Sequence, residues 1–573
     1  MKNLFSKLLL IIFCAGTIFN APAQSNIVAS LDFEPKTDGF AFKNYKNEGE
    51  KWKDDLAVED LIRMFGADAL CKKHNRAQKC VEKADPRPWI DYYLKSMNIG
   101  HCEGIAVASL RMNSKLPFKK KISPVNFQPG AKSPFSLLRN QTLENYIAYY
   151  WITQTFKEIS IPTKETAESP VELVKTLIAS MQERDDTFLL GLYKNDKGRP
   201  FAGHAVAPFA VEDTGNQYKI HVYDNNFPGE TRYLYVNKNA AESWYYSSKS
   251  DPKTKADYFG EKKTKTLELT ANSWRDNRCF DPPFDTDSDS AENCGADTAA
   301  LGKSFFTTAS FQTPIFAADE DGEDAEFFLT GEGNLLVTDG ENRIGYDQNN
   351  RFYDEIEDGN FDLLIGGFGV DLPHYTIPYD ETGEDYKIVF SGKNLTQESN
   401  LDFVFSAPGF TVGFEGIRLD PNEVLEATLS RDGERITFKA SAADTETPEV
   451  FYAFDPDDDE ESSYIVTIGG VELARNKTLA YDFDFENGKL FMSDDDGNED
   501  NYDIELIRIN ADGTEPVYEQ EDLNIGKADK YEMDFGDWDG KGSMCFKDDE
   551  DRDGFDDEEC SEEANEDDDI NEY

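Results

Sequence analysis

Gly100-His101-Cys102-Glu103-Gly104-Ile105-Ala106 is the stretch of sequence that decides how the first half of this chain is organised. It has a distant partner in Gly203-His204-Ala205-Val206, and a third segment follows at Val222-Tyr223-Asp224-Asn225-Asn226. The three segments supply, in this order, a cysteine, a histidine and an Asp-Asn pair. A cysteine nucleophile needs a base that takes its proton and a third group that orients the base. The sequence therefore contains the parts of a thiol nucleophile.

The predicted secondary structure brings these residues together. Cys102 is predicted to open a buried helix, because Gly100 ends the preceding helix and small, apolar residues follow. The N-terminus of a helix favours a thiolate through the helix dipole. Strands are predicted after residue 186, with His204 beginning one and Asp224 ending the next. Since a short turn joins these antiparallel strands, Asp224 or Asn225 is expected to accept a hydrogen bond from His204. Helices followed by an antiparallel sheet predict an α+β domain.

Cysteine spacing separates Cys102 from the other cysteines. Cys14 belongs to a predicted signal peptide, which leaves seven in the mature chain. Six of these fall into local pairs: Cys71 with Cys80, Cys279 with Cys294, and Cys545 with Cys560. Exported proteins meet oxidising conditions, so three local disulfides are predicted. Cys102 is the leftover cysteine, which suggests either a reactive thiol or an intermolecular bridge.

The N-terminus and the charge distribution indicate an exported protein. Residues 1–23 combine a basic start, an apolar run and a small-residue cleavage site, which predicts a signal peptide and a secreted or periplasmic location. No later stretch reaches the roughly 18 apolar residues of a membrane span, so no transmembrane span is expected. Residues 301–573 contain 18 Lys and Arg against 74 Asp and Glu, whereas residues 1–300 contain 40 and 39. Such acidity excludes nucleic acid as a partner and favours cations, above all calcium, although for most of the scattered carboxylates solubility is the preferred interpretation.

The second half is predicted to be rich in strands. Short strand-like segments alternate with Asp, Gly and Asn turns, which is typical of β-sandwiches. We therefore predict a multidomain chain. Its parts are a signal peptide (1–23), the α+β domain (24–275), an acidic disulfide loop and linker (276–325), two all-β, sandwich-like modules (326–395 and 396–520) and an acidic calcium-loop segment with a disordered tail (521–573).

A calcium site is predicted near the C-terminus. Aspartates alternate around Gly554, so that their carboxylates can converge on one cation while the glycine permits a sharp turn, as in an EF-hand loop. Cys560 occupies the place of the last EF-hand ligand, and the segment more closely resembles a thrombospondin type 3 repeat. The resemblance implies a structural calcium ion. The predicted ligands are Asp549, Asp551, Asp553, Phe555 and Asp557, with Glu558 or Glu559 supplying the last oxygens.

The segments that carry the cysteine and the histidine also resemble a known fold. Papain-like cysteine proteases and transglutaminase-like enzymes share the order cysteine, histidine, then Asp or Asn. Together with Asp38-Gly39-Phe40-Ala41-Phe42 and Arg63-Met64-Phe65-Gly66, these segments are similar to a group of largely uncharacterised secreted bacterial papain-like proteins. The similarity covers roughly residues 31–275. It implies a papain-like fold with Cys102 as nucleophile, His204 as base and Asp224 as the orienting group.

One departure from the papain-like pattern concerns the oxyanion hole. Papain-like proteases carry a Gln about six residues before the cysteine, where this chain has Ser96. Asn98 is the nearest amide and is the predicted donor, with Gln154 as a remote alternative. Two further histidines are weaker candidates for the base. His101 is adjacent to the cysteine, where neighbouring side chains diverge, and His221 lies on a predicted strand.

The sequence therefore predicts an exported papain-like cysteine peptidase, or a related thiol acyl-transfer enzyme, acting on an amide bond of a protein or peptide. No cofactor is expected for catalysis. Transglutaminase-like amide transfer uses the same triad and is an alternative. An alternative from another class is a non-catalytic, calcium-binding adhesion or scaffold protein whose β-modules bind an extracellular ligand. The sequence has no His-Glu-x-x-His motif and no phosphate-binding glycine loop, which argues against zinc hydrolysis and nucleotide chemistry.

Overall fold

The structure, a computed structural model, has an N-terminal region of helices and strands followed by a region of antiparallel β-sheet. The predicted order of a mixed region before an all-β region is confirmed at this level. The described residues are 26–47, 53, 55–73, 80–113, 122–196, 199–251, 255–276, 280–284, 323–369, 371–441, 445–456, 462–494, 500–525, 530–536, 538, 540–541, 544–548 and 557–560. The predicted signal peptide and the Cys279–Cys294 pair lie outside them.

The described helices belong to the N-terminal region. They are α1 (Pro35–Asp38), α2 (Val58–Phe65), α3 (Ala67–Leu70), α4 (Pro86–Ser96), α5 (Cys102–Arg111), α6 (Gln141–Ile152), α7 (Lys157–Thr166) and α8 (Pro170–Glu183). A 3₁₀ turn, Met97–Ile99, joins α4 to the segment before α5. The predicted helix ahead of Cys102 and the predicted helix that Cys102 opens are thus both present. None of the helices in the described part of the chain is long and apolar enough to cross a membrane.

One antiparallel sheet supports these helices. The strands of the N-terminal region are β1 (Ile27–Ser30), β2 (Cys71–Lys73), β3 (Val81–Glu82), β4 (Phe188–Asp196), β5 (Arg199–Asp213), β6 (Gln217–Tyr223), β7 (Thr231–Asn237), β8 (Trp244–Tyr246), β9 (Tyr258–Gly260) and β10 (Leu267–Ala271). The sheet has the order β10-β4-β5-β6-β7-β8-β9, and β1 also pairs with β5. The β2–β3 hairpin lies apart and carries the Cys71–Cys80 disulfide, which confirms that predicted pair.

The strands of the β region form two large sheets and one separate two-stranded sheet, in which Thr445–Glu446 pairs with Glu472–Leu473. They are β11 (Asp324–Leu329), β12 (Asn334–Asp339), β13 (Asn342–Tyr346), β14 (Phe352–Asp354), β15 (Asn360–Leu363), β16 (Pro373–Pro378), β17 (Tyr386–Ser391), β18 (Ser399–Ala407), β19 (Phe410–Leu419), β20 (Val424–Leu429), β21 (Arg435–Ala440), β22 (Thr445–Glu446), β23 (Glu449–Phe454), β24 (Ser462–Gly469), β25 (Glu472–Leu473), β26 (Thr478–Asp484), β27 (Lys489–Asp494), β28 (Asp500–Asn510), β29 (Val517–Ile525), β30 (Lys530–Asp534), β31 (Cys545–Asp548) and β32 (Asp557–Cys560). One sheet has the order β15-β16-β11-β18-β19-β23-β24-β28-β29. The other has the order β14-β13-β12-β17-β20-β21-β26-β27-β30-β31-β32.

The two sheets share one apolar core. Alternating residues are buried in strands such as β20, as expected when one face of a sheet is covered, whereas β11 and β18 are buried almost continuously. Phe390 of β17 in one sheet meets Phe403 of β18 in the other, with ring centroids 5.3 Å apart. The core extends from Ala325 to Phe546, and strands on both sides of residue 395 contribute to it. The residues predicted as two β-modules therefore contribute strands to the same pair of sheets.

Basic side chains of the N-terminal region pair with acidic side chains of the β region. Lys72 Nζ lies 2.5 Å from Asp455 Oδ1, and its side chain is only 1% exposed. Similar pairs are Arg87 with Glu515, Lys95 with Asp402, Lys157 with Asp324, and Lys164 with Asp362. In the same interface Tyr92 of α4 stacks on Phe328 of β11 at 3.7 Å between ring centroids. The two regions are therefore joined by both apolar and ionic contacts.

Helix α5 packs closely inside the N-terminal core. It meets α6 at Gly104, where a Cβ atom would overlap the main-chain oxygen of Ile147. The neighbouring Glu103 is buried and forms an ion pair with Arg275, which is also buried. Arg275 donates another hydrogen bond to the main-chain oxygen of Tyr150 at 3.2 Å. The guanidinium thus ties α5 and α6 to the segment that follows β10.

We expect Arg275→Met to destabilise the N-terminal region by about 3–5 kcal/mol, because Glu103 would remain as a buried carboxylate without its cation. The double variant Glu103→Met/Arg275→Met should recover much of this loss, because no buried charge remains. Urea unfolding followed by near-ultraviolet circular dichroism measures both. Equal stability of the single variant and the wild type would contradict the assigned ion pair.

Candidate active site

Cys102 is the first residue of α5 and is completely buried. Gly100 allows the chain to reverse between the 3₁₀ turn and α5, because its φ of 112° lies where side chains are strained. The main-chain N–H of Ala205 donates to Cys102 Sγ at 3.4 Å. The sulfur therefore lies at a helix N-terminus and also accepts a hydrogen bond from a main-chain donor on β5.

His204 and Asp224 form a buried pair beside this sulfur. His204 Nε2 lies 2.9 Å from Asp224 Oδ1, and both side chains are almost completely buried. The prediction that His204 begins its strand is wrong, because β5 already begins at Arg199 in a hairpin with β4. Asp224 follows β6 directly, as predicted. The antiparallel pairing of β5 with β6 brings the two side chains together.

The charges of this pair support each other. Burial alone would lower the pKa of His204. The carboxylate of Asp224, with a smaller contribution from Cys102, outweighs burial and raises the pKa of His204 to about 10. Burial raises the pKa of Asp224, but the charge of His204 and hydrogen bonds from His204, Tyr246 and the Asn226 main chain bring it below its usual value. Near neutral pH the pair is therefore an imidazolium and a carboxylate.

The other ring nitrogen of His204 faces the sulfur. Nδ1 is buried and, within the described part of the chain, has no hydrogen-bond partner. A Cβ atom built on Gly367 would lie 2.8 Å from this nitrogen and 3.0 Å from Cys102 Sγ. Both atoms therefore lie beside the same point, next to the backbone of Gly367. A protonated Nδ1 at this position can hold a thiolate or donate a proton to a leaving group.

Asn44 supplies a side-chain amide at this position, and sequence reasoning missed it. Its Oδ1 accepts hydrogen bonds from the main-chain N–H groups of His101 at 2.8 Å and Tyr45 at 3.0 Å. These bonds fix the amide so that Nδ2 points away from them, and Nδ2 donates to the main-chain oxygen of Gly366 at 2.8 Å. A carbonyl beside the nucleophile thus already accepts a hydrogen bond from this side chain. The only sequence signal was its place shortly after the Asp38–Phe42 segment.

The amides named from the sequence have other contacts in the described part of the chain, and the role predicted for Asn98 stays a prediction. Asn98 lies in the 3₁₀ turn before Gly100, and its Oδ1 is buried without a hydrogen-bond partner among the described residues. Gln154 contacts the same segment as Asn44 does, since its Oε1 accepts from the main-chain N–H of Ile365 at 2.6 Å. Asn225 donates from Nδ2 to the Cys102 main-chain oxygen at 2.9 Å, so it positions α5 while Asp224 contacts the imidazole.

The remaining candidate histidines have other partners. The ring of His101 stacks on Tyr45 and contacts the Tyr45 main-chain oxygen through Nδ1 at 3.0 Å. Its Nε2 lies 3.5 Å from Asp55, so the ring points away from the sulfur of the next residue. His221 pairs with Glu212 at 2.6 Å on β6 and β5. Neither ring is placed to act on Cys102.

The predicted calcium ligands lie at the edge of what the structure describes. Residues 549–556, which include Asp549, Asp551, Asp553 and Phe555, are outside the described residues, and of Asp557 only the backbone in β32 is described. In the described part, no group of three or more His, Cys, Asp or Glu side chains could hold a metal ion. The pairing of β31 with β32 sets Cys545 opposite Cys560. A disulfide between them remains a prediction.

Comparison of the chain with protein-family models, curated proteins and solved structures finds no match. The chemical interpretation of the site therefore depends on its geometry alone. That geometry places a thiol, an imidazole nitrogen and an amide nitrogen around one point beside Gly367, and the other imidazole nitrogen contacts a carboxylate. These are the parts of a site that transfers an acyl group through a cysteine.

We expect Asp224→Ala to destabilise the protein by about 3–5 kcal/mol near pH 6, because His204 would lose its buried counter-ion. The pKa of His204 is raised from 6.5 to about 10, so its ionic contribution is complete below about pH 6.5 and is lost as the pH rises through about 10. The pKa of Asp224 is lowered, so its contribution is present above about pH 4 and is lost on further acidification. The difference from the wild type should therefore shrink between pH 7 and pH 10. Thermal unfolding at several pH values measures it.

Glu212→Ala is the matched control, because it removes the carboxylate from a second histidine pair on the same sheet. The His221 and Glu212 side chains are 15% and 22% exposed, so the loss should be about 1 kcal/mol or less. A larger loss for Glu212→Ala than for Asp224→Ala would contradict the importance of the buried pair.

Proposed function

We propose that this protein is an exported, papain-like cysteine hydrolase that acts on amide bonds of proteins or peptides. Cys102 is the nucleophile, His204 transfers the proton, and Asp224 positions the imidazole. The observation that carries the proposal is the buried contact of His204 with Asp224, together with the other imidazole nitrogen and the Cys102 sulfur that lie around one point beside Gly367. The basis for export is the signal-like sequence of residues 1–23.

The reaction follows from the positions of these groups. The Cys102 thiolate attacks the carbonyl carbon of the scissile amide, and the carbonyl oxygen becomes an oxyanion. The Nδ2 amide of Asn44 is the proposed donor to that oxygen, since it already binds a main-chain carbonyl there. As the C–N bond breaks, His204 gives its proton to the leaving amine, which leaves a thioester on Cys102. His204 then takes a proton from water, and the resulting hydroxide displaces the sulfur and releases a carboxylic acid.

The same thioester can react with an amine instead of water. Transglutaminase-like transfer then differs from hydrolysis only in the acceptor, and the groups around Cys102 serve both. A primary amine tracer added with a peptide substrate distinguishes the two, because only transfer incorporates the tracer. The non-catalytic alternative, an adhesion or scaffold protein, predicts no chemistry at Cys102 at all.

We expect iodoacetamide to alkylate Cys102 of the full chain faster in the wild type than in His204→Ala. A cysteine nucleophile needs its imidazole partner, so at pH 6 the wild type should react about tenfold faster or more. Mass spectrometry locates the label and gives the rate at each pH. The substitution leaves residues 364–369, which lie against Cys102, unchanged in both proteins. The ratio of the two rates therefore reports the state of the sulfur.

The control for this experiment is His221→Ala, which removes an imidazole from the same sheet without touching Cys102. Its alkylation rate should equal that of the wild type. If His204→Ala also matches the wild type over the whole pH range, Cys102 is an ordinary buried thiol. The catalytic proposal would then be abandoned in favour of a binding protein.

We further propose a structural calcium ion at residues 549–557. Asp549, Asp551 and Asp553 alternate along this segment, and the paired strands β31 and β32 flank it. Paired flanking strands hold the two ends of the segment together, which lowers the entropy cost of gathering carboxylates around one ion. The ion would stabilise the last hairpin of the larger sheet and would take no part in the reaction.

Removal of calcium with a chelator should lower the thermal midpoint of the β region by about 5 °C, because a ligand that binds only the folded state adds stability. Asp551→Asn/Asp553→Asn should have the low midpoint with or without calcium. Asp567→Asn/Asp568→Asn, in the acidic terminal segment, is the control and should respond as the wild type does. An unchanged midpoint in the wild type would contradict the calcium proposal.

A further inference from the structure

A segment of the β region fills the space above Cys102. Residues 364–369, Leu364-Ile365-Gly366-Gly367-Phe368-Gly369, lie in the connection between β15 and β16 and are called the glycine loop here. Gly367 lies directly against the sulfur and the imidazole, since a Cβ atom on it would be 3.0 Å from Cys102 Sγ and 2.8 Å from His204 Nδ1. Cys102 is inaccessible because this loop covers it.

The loop is held mainly through its own main chain. Gly367 N–H donates to the Gly203 oxygen at 3.1 Å, and Phe368 N–H donates to the Ile99 oxygen at 3.3 Å. Gly203 immediately precedes His204, and Ile99 immediately precedes Gly100. The loop therefore passes between the segment that carries the nucleophile and the segment that carries the base, hydrogen-bonded to both. Main-chain hydrogen bonds of this kind bind extended peptides.

Other main-chain groups of the loop are also bound. The main-chain oxygen of Ile365 accepts a hydrogen bond from Trp151 Nε1 at 3.0 Å, and the main-chain N–H of Ile365 donates to Gln154 Oε1. The Gly366 oxygen accepts from Asn44, as described above. Side chains of the N-terminal region thus satisfy three polar groups of the loop, and these side chains come from different elements.

Two adjacent positions of the loop admit only glycine. A Cβ atom on Gly366 would overlap Ile99, and one on Gly367 would lie within 3.0 Å of Asn44, Cys102 and His204. On the opposite wall, a Cβ atom on Gly100 would overlap the Gly366 oxygen. The passage over the nucleophile is therefore too narrow for a side chain.

The residues on either side of the glycines differ in their surroundings. Ile365 is buried in a small apolar cluster with Cys102, Tyr193 and Ala205. Phe368 is 41% exposed and lies beneath Lys46, whose Nζ is 5.3 Å from the ring centroid. The position before the glycines thus has an apolar pocket, whereas the position after them lies at the surface.

We propose that the Cys102 cleft recognises an extended peptide with two adjacent glycines after an apolar residue, and that Ile365–Phe368 of the same chain occupies it as an internal ligand. The substrate class deepens the proposed function and rests on it. The glycine loop leaves the cleft before a substrate enters, so the β region regulates access to Cys102.

Gly367→Ala in the full chain tests this assignment. The added methyl group cannot fit over the sulfur, so the loop should leave and iodoacetamide should label Cys102 about 100-fold faster. Gly369→Ala is the matched control, because it also has a positive φ and its Cβ would meet only Ala202, at 3.9 Å. Its labelling rate should stay within about threefold of the wild type. Ile365→Ala adds no atom and should raise the rate about tenfold by removing the apolar anchor.

Near-ultraviolet circular dichroism shows which variants retain the native fold. If Gly367→Ala does not retain it, the labelling rate of Ile365→Ala decides whether the loop covers Cys102. In the opened variant, acetyl-Ile-Gly-Gly-Phe-amide should protect Cys102 from alkylation, whereas acetyl-Ile-Ala-Ala-Phe-amide should not. Unchanged labelling in folded Gly367→Ala and Ile365→Ala, or equal protection by both peptides, would overturn the inference. If the glycine peptide protects Cys102 but His204→Ala does not change the alkylation rate, only the catalytic proposal is contradicted.

Discussion

Two backbones can cross above Cys102 only because neither carries a side chain there. Gly100 on one wall and Gly366 and Gly367 on the other leave no room for a Cβ atom. This steric constraint brings the β region into hydrogen-bond contact with the segments that carry Cys102 and His204. It also buries Cys102 and His204, and burial makes the electrostatic interactions between them strong. The close approach of the two backbones therefore accounts both for the electrostatics of the site and for the loop that covers it.

The interface between the two regions extends well beyond the site. Trp89 donates from Nε1 to Glu326 at 3.1 Å, and Thr411 of the β region donates to the Asp85 main-chain oxygen at 2.8 Å. The Lys72 side chain, paired with Asp455, is shielded almost completely from solvent. Buried contacts that are distributed over many strands hold two regions in a fixed relation. A loop that projects from such a region is delivered to the cleft in a defined position.

The electrostatics of the site favour a charged pair at neutral pH. Asp224 is buried and accepts hydrogen bonds from His204, from the Asn226 main chain at 2.8 Å and from Tyr246. These donors hold it as a carboxylate, and the carboxylate in turn raises the pKa of His204 and keeps it protonated. The sulfur faces this cation and a main-chain N–H group. Asn44 adds a donor whose orientation is fixed by two N–H groups that occupy its oxygen.

The sequence by itself determined the local features of the molecule. Helical spacing and Gly100 predicted that a helix begins at Cys102, and alternating strands predicted the pairing that joins His204 to Asp224. Short-range patterns are sufficient for such features, because they depend on neighbouring residues. Only the tertiary structure decided which distant groups meet. Asn44 and the glycine loop reach Cys102 from 58 residues before it and more than 260 residues after it in the chain. Contacts of this kind arise from the packing of whole regions, and no local pattern encodes them.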